Sequence, residues 1–251
     1  MLQRRHTSFQ RVFTVFLKVA FSMIVFVGQA QVVDRNEIIR QLGEPVLFGE
    51  IIHTSQQVHG TPFFNDEWAR GDIYLANGQV ASGMLKYNGF EDELYWFDPA
   101  GNRTVVLDRV AVDGFTLRDA TSGKPLTFRK MLLGRPALPE NERVFLHVLY
   151  EGDISLYVHR RIEERGRRVA YRNGRRVELP NLEARPVYYV DIPGIGMVQV
   201  QRMRKSFFYD LVPGQREAIR EALSEHPGRL RSEDSLKEAV ISVDRIYSFL
   251  P

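Results

Sequence analysis

Short strand-like runs, several of them with alternating hydrophobic and polar residues, recur along the chain between Gly71 and Arg202. This period of two is typical of β-strands with one buried face, and turn-forming residues separate the runs. The predicted strands cover residues 73–75, 80–87, 94–97, 104–107, 110–117, 126–128, 144–150, 154–159, 187–190 and 197–202. Because the strands follow one another so closely, antiparallel pairing is favoured over βαβ units.

The first predicted hairpin has Asn77-Gly78 at its turn. This dipeptide is the strongest short signal for a two-residue type I′ turn, and it would place Leu75 opposite Val80. The alternation then changes phase at Gly83, so we expect a β-bulge there.

The hydrophobic period becomes three and four residues near the C-terminus, which indicates helices. Ser232 is the predicted N-cap of the last one. Its apolar stripe consists of Leu236, Ala239, Val240, Val243, Ile246, Tyr247 and Leu250. We expect the stripe to pack on the sheet, the alternative being a partner's groove. The predicted class is mainly β (α+β): an antiparallel meander, sandwich or open barrel with C-terminal helices packed on it.

Two pairs of segments resemble each other: Gly71–Leu75 with Gly152–Leu156, and Leu94–Asp98 with Val187–Asp191. One interpretation is that two related β-meanders, at about 60–130 and 144–205, arose from a repeat. Different strand orders in the two segments would contradict it.

The N-terminus has the pattern of a secretory signal peptide. Arg4 and Arg5 precede the short apolar run Val19–Val27, and small residues follow up to Ala30. A run of this length, at about 1.5 Å per residue, is too short for a hydrocarbon core of about 30 Å. We therefore expect cleavage after Ala30. The predicted organisation is a signal peptide (1–30), a β-rich domain (31–205) and a helical segment (206–251).

The alternative for the leader is an uncleaved membrane anchor over residues 12–27, in which Lys18 would be costly. Membrane contact is expected only in that case. The sequence contains no cysteine, so neither a disulfide nor a thiolate metal site can form. The expected location is the periplasm, the outer membrane surface or the extracellular space.

The charge pattern argues against a general nucleic-acid partner. The formal net charge is +3, but the first 30 residues contain four basic residues and no acidic one. The remaining chain has 30 basic and 31 acidic residues, so it lacks the overall basic character of a nucleic-acid-binding protein.

Common catalytic and cofactor motifs are missing: the sequence has no G-x-S-x-G, H-E-x-x-H, Walker or G-x-G-x-x-G pattern. The histidines after the leader are His53, His59, His147, His159 and His226. Their spacing fits no zinc site, and His147 lies in an apolar run typical of an interior imidazole. We expect no metal and no cofactor.

Acidic residues in two clusters leave one enzymatic alternative open. The residues are Asp66, Glu67, Glu91, Asp92 and Glu93. A pair of carboxylates at the right separation hydrolyses glycosides, and Trp68 and Trp96 could supply a sugar platform. The favoured interpretation is that the acids are solvated and the aromatic rings belong to the core.

The most unusual segment is residues 160–176, which contain eight arginines and two glutamates. Asn173-Gly174 predicts a hairpin turn within it. Guanidinium groups match phosphate and carboxylate oxygens in pairs, so this segment suits an anionic partner. The candidate binding residues are Arg160, Arg161, Arg165, Arg167 and Arg168. The alternative is a solvated hairpin whose arginines pair with the protein's own acids.

Several segments contain turn residues or aromatic residues, and a basic segment follows them: Pro62–Trp68, Gly71–Gly78, Leu85–Asn88, Asp92–Leu94, Leu149–Gly152, Tyr188-Tyr189 and then Arg202–Lys205. In these segments the chain resembles a group of exported, β-rich proteins of Bacteroidota-type bacteria. The resemblance implies a signal peptide and an extracytoplasmic β-rich fold, and it brings no assigned activity and no catalytic residues.

Together these observations favour a non-enzymatic, extracytoplasmic protein that binds an anionic envelope component or a protein partner. The alternative is a glycoside hydrolase that acts on polysaccharide through paired carboxylates.

Overall fold

The computed structural model describes residues 47, 49–52, 57–133, 143–212 and 214–248. The predicted signal peptide (1–30) and Leu250 lie outside the described residues.

Strands make up about half of the described chain. They are β1 Gly49–Ile52, β2 Ala69–Leu75, β3 Val80–Asn88, β4 Glu93–Asp98, β5 Arg103–Leu107, β6 Val112–Arg118, β7 Pro125–Leu132, β8 Arg143–Tyr150, β9 Ser155–His159, β10 Ile162–Arg172, β11 Arg175–Ala184, β12 Val187–Ile192 and β13 Gly196–Gln199. The helices are a 3₁₀ helix at Lys205–Asp210, α1 at Arg216–Ala222 and α2 at Glu233–Ser248.

Eleven of these strands form one sheet in the order β1-β5-β4-β3-β2-β6-β7-β8-β9-β12-β13, and every neighbouring pair is antiparallel. The sheet is open, since its edge strands β1 and β13 do not pair with each other. Strands β10 and β11, which come between β9 and β12 in the sequence, form a separate two-stranded hairpin. The predicted mainly antiparallel β fold with C-terminal helices is confirmed.

The predicted register of the first hairpin is wrong by one residue. Val80 lies opposite Tyr74 rather than Leu75, and the β2–β3 ladder runs without a shift through Gly83. The expected bulge is therefore absent from this pair. The turn contains three residues, 76–78, because the Leu75 N–H donates to the Gln79 carbonyl oxygen (2.9 Å). Of the three, Gly78 has the positive φ (+82°), as in a turn closed by a left-handed glycine.

The two segments of the proposed repeat differ in strand order. Gly71–Leu75 falls in β2, whereas Gly152–Leu156 covers the β8–β9 turn and the first two residues of β9; the other pair falls in β4 and β12. Strand β9 pairs directly with β12, whereas β3 separates β2 from β4. This difference argues against a repeat of two related meanders.

Aromatic residues fill the core formed by strands β2–β8. Tyr87, Phe115, Phe128 and Phe145 are each 0% exposed. The rings of Phe115 and Phe128, which face each other across β6 and β7, stack at 4.5 Å. Burial of such side chains contributes roughly 1.5–3 kcal/mol each. The phenylalanines and tyrosines that alternate along the strands therefore hold this half of the sheet together.

The C-terminal helices pack on the other half of the sheet, as predicted. Four residues of the α2 stripe, Leu236, Ala239, Val240 and Val243, are at most 1% exposed. They share a core with residues of β9 and β12 such as Leu156 and Val190. Ser232 caps α2 as expected: its hydroxyl accepts the Ser235 N–H at 3.1 Å.

Candidate functional site

The arginine-rich segment forms the β10–β11 hairpin that its Asn-Gly turn predicts. Asn173 and Gly174 both have positive φ, +49° and +75°, as a type I′ turn requires. The ladder shifts by one residue between Glu164 and Arg167, beside Gly166 with φ +77°. A β-bulge therefore interrupts the hairpin where the candidate arginines lie.

Arg160 differs from the other arginines because its charge is used inside the molecule. Its guanidinium forms two hydrogen bonds to the Glu233 carboxylate, at 2.8 and 2.9 Å. Its Nε donates to His147 Nδ1 at 3.1 Å, and the guanidinium lies 5.1 Å from the centre of the Phe64 ring. With its side chain 15% exposed, Arg160 ties the start of α2 to strands β8 and β9. It is a structural residue in this position.

Three other arginines at or near the hairpin pair with acidic residues of their own chain. Arg161 lies 3.2 Å from Glu163, Arg176 lies 3.7 Å from Glu178, and Arg185 lies 3.0 Å from Glu183. Each of these guanidinium-bearing side chains is at least half exposed, so the pairs contribute little to stability. For these positions the alternative of self-paired surface arginines fits.

Arg165, Arg167 and Arg168 are all exposed, and none of them forms a salt bridge with any carboxylate in the part of the chain that the structure describes. Alternation along β10 puts Arg167 on the same face as Val169 and Tyr171, which are 48% and 76% exposed. This face of the hairpin therefore presents positive charge together with accessible apolar surface.

The acidic residues of the hydrolase alternative have different environments. Asp66, Glu67 and Glu91 are exposed. Burial, and then the neighbouring Glu91, raises the pKa of Glu93. Only Asp92 is buried among the five.

Asp92 has a structural role in the core. It accepts hydrogen bonds from the Tyr87 hydroxyl (2.6 Å), from Arg109 (2.8 Å) and from the Phe145 N–H (3.2 Å). Burial, followed by the nearby Asp92, raises the pKa of Tyr87 well above its usual value. The carboxylate thus joins β3 to β8 across the core, and its oxygens are occupied by donors of the fold itself.

A groove of about 810 Å³ lies over β2, β3, β4 and β6, and none of the five acids lines it. Trp96, Phe97 and Met84 supply apolar lining. Among the described residues that line it, only Asp72 has a carboxylate, which accepts a hydrogen bond from the Ser82 hydroxyl at 2.6 Å. The groove can hold a small ligand, but the described residues give it no second carboxylate of the kind that glycoside hydrolysis requires.

His147 is the interior imidazole that the sequence predicts. It is 5% exposed, and its ring stacks on Phe128 at 4.9 Å. Burial, then the charges of Arg160 and Lys237, lower its pKa to about 3. His147 therefore stays neutral at physiological pH and accepts the Arg160 hydrogen bond through Nδ1. The described residues include no cluster of three or more acidic or histidine side chains that could hold a metal ion.

A second basic site was missed by the sequence reasoning. Arg202, Arg204, Arg229 and Arg231 line a groove of about 630 Å³ beside the C-terminal helices. The two segments are 27 positions apart in the chain. The signal that could have found them is the shared pattern of an apolar residue between two arginines.

No protein-family model, curated protein or solved structure matches this chain. The resemblance to exported proteins of Bacteroidota-type bacteria therefore stays a prediction. Among the described residues, no helix combines the length and the apolar character needed to cross a membrane.

Proposed function

We propose that the protein is a non-enzymatic binding protein that acts outside the cytoplasm and holds an anionic component of the cell envelope on its arginine hairpin. The observation that carries this proposal is the exposure of Arg165, Arg167 and Arg168 without a described carboxylate partner. By contrast, a carboxylate partner is present at Arg161, Arg176 and Arg185, which lie at or near the same hairpin. The hairpin therefore carries positive charge that the protein's described acids leave unneutralised.

The chemistry of this surface suits phosphate or carboxylate groups. A guanidinium offers a planar fork of donors that matches two oxygens at once, and such charge-assisted hydrogen bonds are worth about 1.5–3 kcal/mol each. Val169 and Tyr171, on the face of Arg167, add apolar contact for the body of the partner. We also propose that the leader directs export of the protein. The hairpin of an exported protein would be in direct contact with the envelope.

Binding is better supported than hydrolysis. Hydrolysis requires two carboxylates across an open cleft, at roughly 5–10 Å from each other. Asp92 is bonded within the core and three of the other acids are exposed. Of the described residues that line the 810 Å³ groove, Asp72 alone is acidic. We therefore make the binding role the conclusion.

The test replaces Arg165, Arg167 and Arg168 together with serine. We expect the triple variant to elute from phosphocellulose at clearly lower salt than the wild-type protein, because its unpaired charges are gone. The matched control replaces Arg161, Arg176 and Arg185 with serine, which removes the same formal charge from self-paired positions. Circular dichroism should show that both variants are folded.

Equal elution of the two triple variants would contradict the proposal, because retention would then follow total charge rather than the hairpin. For the leader, the expected result is a mature N-terminus at residue 31 on protein recovered from outside the cytoplasm. An intact N-terminus on cytosolic protein would refute export.

A further inference from the structure

Two short segments of the chain meet beside the C-terminal helices and bring four arginines together. Arg204 and Arg229 form an antiparallel β-bridge, and the Leu230 N–H donates to the Met203 carbonyl oxygen at 2.9 Å. Extended backbone turns successive side chains to opposite sides. The central residues Met203 and Leu230 pack against the C-terminal core, and Leu230 is 1% exposed.

The arginines that flank these two central residues are all exposed. With Met203 and Leu230 they line the groove of about 630 Å³, and no acidic residue of the described chain lines it. None of the four forms a salt bridge with a carboxylate among the described residues. By contrast, Arg216 and Arg220 nearby in the chain pair with Asp210 and Glu217. The groove thus concentrates uncompensated positive charge.

Lys205 is next to this cluster in sequence, but its ammonium group is hydrogen-bonded within the protein. This group donates to the carbonyl oxygens of Leu223 (3.4 Å) and His226 (3.2 Å). Both carbonyl groups belong to the segment that follows α1. The backbone N–H of Lys205 donates to the Gly228 carbonyl oxygen at 3.3 Å. These bonds, with the bridge of Arg204 and Arg229, fix the backbone that carries the four guanidinium groups.

We propose that this groove binds an anion with at least two phosphate-type groups. Four guanidinium groups offer many more N–H donors than the roughly four acceptor sites of a single carboxylate can use. A diphosphate or a doubly phosphorylated headgroup supplies enough oxygens and enough negative charge. Because the backbone is already held in place, binding needs to order only the side chains, which lowers its entropic cost.

This site uses none of the hairpin arginines, so its test and the test of the hairpin are independent. The same phosphate chemistry has two sources, a soluble diphosphate and a phosphorylated lipid headgroup. The experiment therefore needs one probe for each source.

The first probe is inorganic pyrophosphate, titrated into the full chain by calorimetry at constant ionic strength. We expect the wild-type protein to bind, and the variant Arg204→Gln/Arg229→Gln to bind at least about tenfold more weakly, since it loses two charge-assisted contacts. The variant Arg202→Gln/Arg231→Gln should show a similar loss. The matched control, Arg216→Gln/Arg220→Gln, removes the same formal charge from self-paired positions and should bind as the wild type does.

The second probe is sedimentation with phosphatidylcholine vesicles that contain phosphatidic acid. Vesicle binding that pyrophosphate displaces, and that Arg204→Gln/Arg229→Gln abolishes, would assign the site to a lipid headgroup. Pyrophosphate binding without vesicle binding would assign it to a soluble ligand. The proposal is overturned if the wild-type protein binds neither probe, or if the control variant loses as much affinity as the groove variants while all of them unfold at the same temperature.

Discussion

The stability of the protein should fall in mild acid because of one buried histidine. His147 is enclosed by Phe128 and Phe64, and its Nδ1 accepts a hydrogen bond from Arg160. A proton on Nδ1 would remove this acceptor and place a second positive charge beside the guanidinium. Burial and this neighbouring charge together lower the folded-state pKa to about 3.

The sign and size of the effect follow from proton linkage. An unfolded histidine has a pKa near 6.5, so between about 6.5 and 3 the unfolded chain takes up a proton that the folded chain does not. The free energy of unfolding therefore decreases as the pH falls, by up to about 1.4 kcal/mol for each pH unit. His147 alone accounts for roughly 2 kcal/mol between about pH 7 and pH 5. Its contribution stops changing once the pH is below about 3.

The assay is urea unfolding followed by tryptophan fluorescence at a series of pH values. His147→Gln keeps an oxygen that can accept the Arg160 hydrogen bond but cannot titrate. We expect this variant to be less stable at neutral pH. Between about pH 7 and 5, its free energy of unfolding should lack most of the decrease that His147 causes in the wild-type protein. His59→Gln, at an exposed position, controls for the removal of an imidazole. If wild type and His147→Gln show parallel stability curves, His147 does not control the acid response.

Three further substitutions test individual contacts of the fold by the same urea assay. Gly152→Ala should cost about 1–3 kcal/mol, because an added Cβ would lie 2.2 Å from a carboxylate oxygen of Asp244; wild-type stability would refute this close contact. Glu233→Gln should cost roughly 1–3 kcal/mol by leaving the Arg160 guanidinium without its charged partner, and an unchanged midpoint would show that the pair adds nothing. Gly174→Ala should cost about 1 kcal/mol through its positive φ, whereas a stabilised variant would exclude the type I′ turn.

The two Asn-Gly dipeptides show how far local sequence determines the fold. At Asn173-Gly174 both residues have positive φ and the two-residue turn forms as predicted. At Asn77-Gly78 only the glycine does, and the turn is one residue longer. The cause lies in β3, the strand that follows this turn. A turn shorter by one residue would shift the register of β3 by one and move each of its side chains to the opposite face.

In the observed register, Ala81, Leu85 and Tyr87 face the core, and Leu85 and Tyr87 are fully buried. The two-residue turn would have put Met84 and Lys86 there instead. Burial of a leucine and a tyrosine outweighs a local turn preference, because each side chain contributes roughly 1.5–3 kcal/mol when it leaves water. Most strands and the helical stripe were predictable from apolar runs, their period and the turn residues between them, although β1 was not among the predicted strands. Register depends on the sum of contacts across the sheet.

The role of each arginine was less predictable, because charge counting treats neighbours alike. Arg160 and Arg161 are adjacent in sequence, yet one is mostly buried against Glu233 and the other is exposed beside Glu163. The partner of Arg160 lies 73 residues further along the chain, so no local pattern identifies it. Of the five arginines proposed for binding, the structure therefore engages one in the interior and leaves three exposed without a described carboxylate partner.

In the four-arginine groove, packing of apolar residues brings charges together, whereas at Arg160 it is a charged partner that fixes the side chain. Each of the segments Arg202–Arg204 and Arg229–Arg231, taken alone, is typical of a solvated loop with one apolar anchor. Their central residues bury themselves in one core, and this burial forces the flanking arginines onto one surface. Repulsion among those charges opposes the arrangement, so an anion that occupies the groove should also stabilise the fold. The hydrophobic anchors thus account for the position of the charges, and the charges account for the class of ligand.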